Sequence, residues 1–211
     1  MNPKVKNILE WTYCIIIALV LALLFRYFIG TPTIVKQKSM YPTLVENQRL
    51  FLNRTYRITR NMNFKRGDII TFEAPSQHEI RSYDVDQSNP VARYDKEPTN
   101  IFSKFAYYVL EFPKTSYIKR VIALPGEHVK ISGGAVYVNG EKLDETYLQP
   151  DVVTESDRYN DFIVPKGYIF AMGDNRPNSQ DCRHFGCVPY EKIEGKVVFR
   201  FWPPSEIGSI D

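Results

Sequence analysis

The chain has 211 residues, of which 44% are hydrophobic and 14% aromatic, so it can bury a sizeable core and is globular rather than disordered. Its formal net charge of +3 is small for this length, which disfavours a nucleic-acid-binding protein. Three cysteines are too few for a disulfide framework, and neither a CxxC pair nor an HExxH motif offers the spacing of metal ligands. Cys182 and Cys187 are close enough in sequence to bridge, but we favour two unpaired thiols.

An apolar segment near the N-terminus, residues 11–29, predicts a single membrane-spanning helix. Its roughly 19 residues carry one charge, Arg26, and cover about 28 Å as a helix, which matches the hydrocarbon thickness of a bilayer. Lys4 and Lys6 precede the segment, and such a charge bias usually lies on the cytoplasmic side. We therefore expect residues 1–10 to form a cytoplasmic tail and the rest of the chain to lie outside the cell membrane.

A cleavable secretory signal and a buried core helix are two other interpretations of this segment. A fully apolar core helix would need protein on every side, and residues 25–31 show no Ala-x-Ala pattern for cleavage. We favour an uncleaved anchor.

Short β-rich segments bounded by turn residues follow the anchor and predict a mainly β domain over residues 31–74 and 114–211. Asn139-Gly140 is a hairpin signal, because both residues tolerate the positive φ that a tight turn requires. The predicted strands are 33–36, 49–53, 68–72, 117–124, 128–131, 135–138, 168–172 and 196–201.

Residues 75–113 interrupt the β pattern and are predicted to be an inserted segment, first polar and then aromatic. Within it, apolar residues recur at helical spacing and predict a short amphipathic helix, which is too short to be a second span. We favour packing of this face on the β core and keep a helix at the bilayer surface as the alternative. The predicted face consists of Ile101, Phe105, Tyr108, Val109 and Phe112.

Ser39 opens the block SMYPTL a few residues after the anchor, with Pro42 stiffening the chain behind it. A serine hydroxyl is a weak nucleophile until a neighbouring base takes its proton, and His is the commonest such base. None of the three histidines lies in a recognisable catalytic setting. Ser39 is therefore a candidate nucleophile only if another base is at hand.

Lys119, in the block YIKRVIALPGE, is the candidate base. Strand alternation places it on the same face as Val121 and Ala123, where it is either desolvated or reaches out to solvent. Desolvation lowers a lysine pKa, and a base near neutral pH needs a fall from about 10.4 to about 7 or 8, a shift of about 4 kcal/mol. Ser-Lys chemistry thus requires Lys119 to be buried.

A third block, GDNRPNSQDCRHFG, begins at Gly173 directly after a predicted strand. Asp174 is expected in a tight turn, and Asp181 with Arg183 can form a supporting ion pair. Ser179 differs from these scaffold residues, because a hydroxyl beside an amine can hold the amine in line for proton transfer.

These blocks, together with RGDII at residues 66–70 and the anchor, occur in an order that resembles the bacterial type I signal peptidase family. The resemblance covers most of the chain from the anchor to Pro189, except the insert. It implies a largely antiparallel β-sheet catalytic domain and a membrane-anchored serine endopeptidase without a cofactor. Such an enzyme cleaves the signal peptides of exported preproteins after small residues (Ala-x-Ala) at the membrane surface, so its partners are signal peptides and the lipid bilayer.

The resemblance also implies roles for individual residues. Ser39 corresponds to the nucleophile, Lys119 to the general base and Ser179 to the hydroxyl that orients the lysine, while Asp181 and Arg183 correspond to a supporting pair. Two positions depart from the family pattern. Cys182 replaces a serine, and Gln37 replaces a Ser or Gly that is associated with the oxyanion hole. We hypothesise that the Ser39 backbone N–H and the Gln37 amide share that task.

Two other functions compete with this interpretation. A self-cleaving Ser-Lys repressor would begin with a helix-turn-helix instead of a membrane span. A membrane-anchored assembly factor on a decayed protease scaffold would not need Ser39, Lys119 and Ser179 all intact. We favour the peptidase.

Overall fold

The computed structural model describes residues 3–59, 63–82 and 85–210. Its first element is α1, Pro3–Phe28, a helix long and apolar enough to cross a membrane by length and composition. The helix begins before the predicted span, because proline suits the first helical position and the polar residues that follow can extend the helix beyond the apolar segment. Its last turn meets the rest of the chain, where Arg57 donates a hydrogen bond to the Tyr27 carbonyl oxygen over 3.1 Å.

A seven-stranded antiparallel sheet forms the larger half of the fold, with strand order β1-β2-β11-β3-β4-β9-β10. Strands from both sides of the predicted insert alternate in it, which confirms the mainly β, antiparallel fold. Its strands are β1 (Gly30–Ile34), β2 (Arg49–Asn53), β3 (Ile69–Glu73), β4 (Ser116–Ala123), β9 (Tyr168–Met172), β10 (Val188–Pro189) and β11 (Ile193–Trp202).

A smaller sheet of four antiparallel strands has the order β7-β6-β5-β8. The turn between β6 and β7 is the predicted one, with φ of 54° at Asn139 and 86° at Gly140. Its strands are β5 (His128–Ser132), β6 (Ala135–Val138), β7 (Glu141–Lys142) and β8 (Asp161–Ile163).

Two hydrophobic clusters hold these layers together. The larger joins the two sheets, with Val121 and Phe170 from one and Val129 and Phe162 from the other. Cys182 and Cys187 are both buried free thiols, as expected, and Cys187 belongs to the same cluster. The smaller cluster lies around β2 and β11 and fixes the segment that follows β1.

The helices between and after the strands are α2 (Tyr56–Thr59), α3 (Gln77–Ser82), α4 (Ile101–Phe105) and α5 (Cys182–Phe185), and α4 continues into a π-helical turn, Ala106–Leu110. The expectation that the insert helix packs its apolar face on the β core is wrong, since Ile101 is 76% exposed and Phe112 is 69% exposed. The helix is attached through polar groups instead. The Tyr107 hydroxyl donates a hydrogen bond to Glu73, and this bond leaves the apolar side turned away from the core.

Candidate active site

Ser39 lies in the middle of one turn of 3-10 helix, Lys38–Met40, that follows β1. The turn is fixed from the interior by Met40, which is 1% exposed and packs in the smaller cluster with Val35 and Leu44. Ser39 is itself buried. Its hydroxyl therefore occupies a defined position at the floor of a groove.

Lys119 reaches Ser39 from β4, although 80 residues separate the two in the sequence. Its Nζ donates to the Ser39 Oγ over 2.8 Å and to the Ile118 carbonyl oxygen over 3.0 Å. Lys119 is 1% exposed, and its Nζ lies 5.1 Å from the centre of the Tyr117 ring. The structure thus brings the two sequence-predicted residues into hydrogen-bond contact.

The environment of Lys119 favours the neutral amine. Burial lowers the pKa of Lys119 from 10.5 to about 8, although the Asp181 carboxylate acts in the opposite direction. With a pKa of about 8, about a tenth of the amine is unprotonated at pH 7, far more than for a solvated lysine. A neutral amine at 2.8 Å can accept the proton of a serine hydroxyl.

The turn after β9 holds the Ser39 segment from the other side. The Asn175 backbone N–H donates to the Ser39 carbonyl oxygen over 3.0 Å, and the Asn175 side chain donates to the Lys38 carbonyl oxygen over 3.0 Å. Gly173 lies so close that a methyl group there would overlap both the Ser39 carbonyl oxygen and the Ser179 side chain. Position 173 requires glycine, because the Ser39 and Ser179 atoms approach its Cα so closely that no Cβ would fit.

Asp181 and Arg183 form the predicted ion pair, with 2.9 Å between Arg183 Nε and Asp181 Oδ1. The Asp181 carboxylate also accepts from the Gly173 N–H over 3.0 Å, and Arg183 donates to the Ser179 carbonyl oxygen over 3.3 Å. Burial alone would raise the pKa of Asp181, but the Arg183 guanidinium holds that pKa below its usual value. The pair therefore fixes both ends of the 173–179 turn behind Lys119.

Comparison with known proteins identifies the family. A model of the family described as "Signal peptidase, peptidase S26" matches residues 8–202. The chain belongs to this signal peptidase family. The chain is 34% identical over 201 residues to "Probable signal peptidase I-1" of Synechocystis sp. (strain ATCC 27184 / PCC 6803 / Kazusa), covering 93% of this chain and 83% of that protein. It is also 34% identical over 213 residues to "Signal peptidase I S" of Bacillus subtilis (strain 168), covering 97% and 94%.

The match to a solved signal peptidase I from Enterococcus faecalis V583 covers 64% of this chain and 96% of that one, with 28% identity and a TM-score of 0.39. Proteins of the signal peptidase family are serine peptidases that hydrolyse peptide bonds, and this chain is an enzyme of that class.

Ser179, the predicted orienting hydroxyl, lies beside Gly173 in the turn after β9. Its hydroxyl is buried and makes no hydrogen bond of ordinary geometry to any part of the chain that the structure describes. It has only a looser contact with the Asp181 carboxylate. The orienting role of Ser179 toward Lys119 stays a prediction.

Sequence reasoning did not find a second buried ion pair behind the peptidase site. Arg120 donates to Asp174 over 2.9 and 2.8 Å and to the Gly67 carbonyl oxygen over 3.0 Å. Asp174 in turn accepts from the Thr43 hydroxyl over 2.6 Å. A charged residue inside an apolar strand was the available signal, because a buried guanidinium needs a partner. The pair joins the Ser39 segment, β4 and the turn at Asp174.

A groove of about 450 Å³ opens beside Ser39 between β1 and the start of β4. Gln37, the predicted oxyanion residue, lies on the rim of this groove, where it is exposed and makes no side-chain hydrogen bond to cap the 3-10 turn. Ser116 and Ile118 line the opposite wall. Sequence analysis assigned no substrate-binding residues, because strands distant in sequence form the walls.

Proposed function

We propose that this chain is a membrane-anchored serine endopeptidase that removes N-terminal signal peptides from exported preproteins by means of a Ser39–Lys119 dyad. One observation carries the proposal, the 2.8 Å contact between the Ser39 Oγ and the Nζ of a lysine that is 1% exposed. A buried lysine without a carboxylate in direct contact is unusual unless its neutral form is used.

The contact supports a two-step acyl transfer. Neutral Lys119 removes the proton from the Ser39 hydroxyl as the Oγ attacks the scissile carbonyl carbon. The resulting ammonium group then protonates the leaving amine when the C–N bond breaks, and an ester on Ser39 remains. Lys119, neutral again, activates a water molecule that hydrolyses the ester. As the ester bond breaks, Lys119 passes the proton of that water molecule to the Ser39 Oγ. Both groups are then back in their starting states, so the cycle requires no cofactor.

The negative oxygen of the tetrahedral intermediate needs hydrogen-bond donors. The Ser39 backbone N–H lies in the first turn of a 3-10 helix, where such groups lack intrahelical partners, and Gln37 lies on the adjacent rim. We assign the oxyanion hole to this backbone N–H together with the Gln37 amide.

Replacing Gln37 with Ala is expected to lower kcat about tenfold or more with little change in KM. A buried oxyanion donor contributes a hundredfold or more, and an exposed donor such as Gln37 contributes less because water competes with it. Steady-state kinetics on a synthetic preprotein check this, with the neighbouring exposed residue Lys36→Ala as a control for changes on the rim. A kcat within twofold of the wild type would exclude the side chain from the oxyanion hole.

The groove supports cleavage after small residues. Alternate side chains of an extended peptide point the same way, so the first and third residues before the cut would both face its floor. Val35, Met40 and Ile118, all with apolar side chains, are among the residues that line this groove beside Ser39. We expect the two small residues of an Ala-x-Ala sequence to fit against this apolar lining.

The short distance between the anchor and Ser39 supports cleavage at the membrane surface. About ten residues separate the end of α1 from Ser39, and an extended chain covers at most ~3.5 Å per residue. With Lys4 and Lys6 on the cytoplasmic side, the β-rich part formed by residues 31–74 and 114–211 lies outside the cytoplasm. A translocated signal peptide presents its cleavage site on this same surface.

The proposal is tested with the full chain in detergent micelles and a synthetic preprotein that carries an Ala-x-Ala site. Wild-type protein is expected to release one product, cut after the second alanine, whereas Ser39→Ala is expected to release none. A Leu-x-Leu substrate serves as the specificity control. Cleavage by the Ser39→Ala protein, or equal cleavage of both substrates, would overturn the proposal.

A further inference from the structure

The insert helix carries an apolar surface that no described residue covers. Phe102 is 84% exposed, and Ile101 and Phe105 lie one turn apart on the same side of α4. Contiguous exposed apolar surface usually marks an interaction site. We call this surface the insert strip, and it consists of Ile101, Phe102, Phe105 and Phe112.

The opposite side of the same helix is fastened to the β domain by polar contacts. Glu73 accepts a hydrogen bond from the Tyr107 hydroxyl and pairs with Lys114 at 3.2 Å and with Lys192 at 3.4 Å. Lys192 also pairs with Glu97 at 2.9 Å. Rotating the strip inward would break these buried contacts. The outward orientation of the strip is therefore built into the fold.

Glu111, directly after the helix, connects the strip to α1. Its carboxylate receives two hydrogen bonds from Arg54, over 2.6 and 3.0 Å, and pairs with Arg57 at 3.7 Å and with Arg26 at 3.4 Å. Arg26 also donates to the Leu110 carbonyl oxygen over 3.2 Å. Because Arg26 lies in the last turn of α1, the end of the insert helix is held at the level where the apolar span ends.

Burial alone would raise the pKa of Glu111, but the guanidinium of Arg54, with those of Arg57 and Arg26, holds that pKa below its usual value. The carboxylate is therefore ionised at neutral pH and acts as a fixed junction. Losing it would leave Arg54, whose side chain is 3% exposed, as an uncompensated buried charge.

We propose that the insert strip lies in the interfacial layer of the lipid bilayer beside α1, and that the Glu111 junction sets its depth. A helix this short cannot span a bilayer, but its apolar face can enter the boundary of headgroups and acyl chains by about 5–10 Å. Lys104, exposed on the same helix, can extend its ammonium group to the lipid headgroups. Lipid is favoured over a protein partner because the strip is joined directly to the end of the spanning helix.

This arrangement has a consequence for substrate capture. The groove beside Ser39 is lined also by Arg26, Arg54 and Glu111. An embedded strip would hold that groove against the membrane surface, where the apolar part of a substrate leaves the bilayer. The inference rests on α1 crossing the membrane and not on the chemistry of Ser39 and Lys119.

Spin labelling tests the position of the strip. A nitroxide is attached at Phe102→Cys in the full-length Cys14→Ser protein, reconstituted into phosphatidylcholine vesicles, with Ile163→Cys as the control. Ile163 is also an exposed apolar residue, at 61%, but lies on the smaller sheet. The label at 102 is expected to collide more often with oxygen than with a water-soluble nickel complex, and the label at 163 the reverse. Equal behaviour of the two labels, or shielding of label 102 from both reagents by a protein partner, would overturn the proposal.

A charge in the strip tests its role. Phe102→Glu is expected to lower processing of a vesicle-embedded preprotein by about tenfold, because the carboxylate resists entry into the interface, and to leave cleavage of a short soluble peptide unchanged. Equal rates on the embedded preprotein, or equal losses on both substrates, would contradict the proposal. The labelling result needs no catalysis, so failure of the strip and failure of the peptidase proposal are separable.

Discussion

Replacing Lys119 with Met is expected to lower kcat/KM for a synthetic preprotein by about a thousandfold or more, while the protein stays folded. Methionine keeps most of the apolar stem that packs beside Tyr117 but has no amine to accept the proton of Ser39. Without a base the hydroxyl is a poor nucleophile, so the loss falls on kcat. Steady-state kinetics in detergent, with the full chain, measure it.

The Lys119→Met variant is expected to be at least as stable as the wild type, although it loses activity. The folded-state pKa of Lys119, about 8, lies below the unfolded value of 10.5, so burial of the charged amine costs about 3 kcal/mol below pH 8. That cost disappears as pH rises from 8 through 10.5. At pH 7 the Met variant should therefore unfold at the same temperature as the wild type or higher.

The matched control for this substitution is Lys130→Met, whose side chain is 53% exposed on β5. It should leave both kcat/KM and the unfolding temperature unchanged. If Lys119→Met kept activity within tenfold of the wild type, Lys119 would not be the base. If its activity and unfolding temperature fell together, the loss would reflect folding instead of chemistry.

The substitution Gly173→Ala is expected to lower kcat about a hundredfold or more. The added methyl group would overlap the Ser39 carbonyl oxygen, which is backbone, and the Oγ and Cβ of Ser179. Overpacking of this kind usually costs 1–3 kcal/mol of stability, and a shift of about 1 Å in a reacting group can cost a hundredfold in rate. Kinetics and thermal unfolding should both detect the change.

Gly208→Ala is the control for Gly173→Ala, because a methyl group at Gly208 meets nothing within 4 Å. That variant should match the wild type in both measurements. A Gly173→Ala protein with wild-type kcat would show that the Ser39 segment tolerates displacement, which would contradict the close packing described for the site.

The sequence could predict those parts of the site that depend on local pattern. Strand alternation placed Lys119 beside Val121 on an apolar face, and chemical reasoning then required it to be buried, as the structure has it. The short spacing between the anchor and Ser39 followed from numbering alone. The contact between Ser39 and Lys119 came from the resemblance, since no local rule relates residues 80 positions apart.

Long-range contacts explain what sequence reasoning missed. The need for glycine at position 173 depends on the Ser39 carbonyl oxygen, and the ion pair of Arg120 with Asp174 joins β4 to a turn 54 residues later in the sequence. Strands β8 and β10, with three and two residues, are too short to show alternation. The predicted packing of the insert helix was wrong for a related reason. The helix itself was predicted correctly, but the side of it that faces the core is decided by a polar contact with Glu73, which lies far away in the sequence.

The central claim, that a buried Lys119 with a lowered pKa activates Ser39 in its neutral form, is tested most directly by titrating the lysine itself. In protein with 13C-labelled lysine side chains, the Cε signal that is missing from the Lys119→Met variant belongs to Lys119. That signal is expected to titrate with a pKa of about 8, so the neutral base, and with it kcat/KM, should increase as pH rises through this value. A signal that titrates near 10.5 would mean a solvated lysine and would contradict the account.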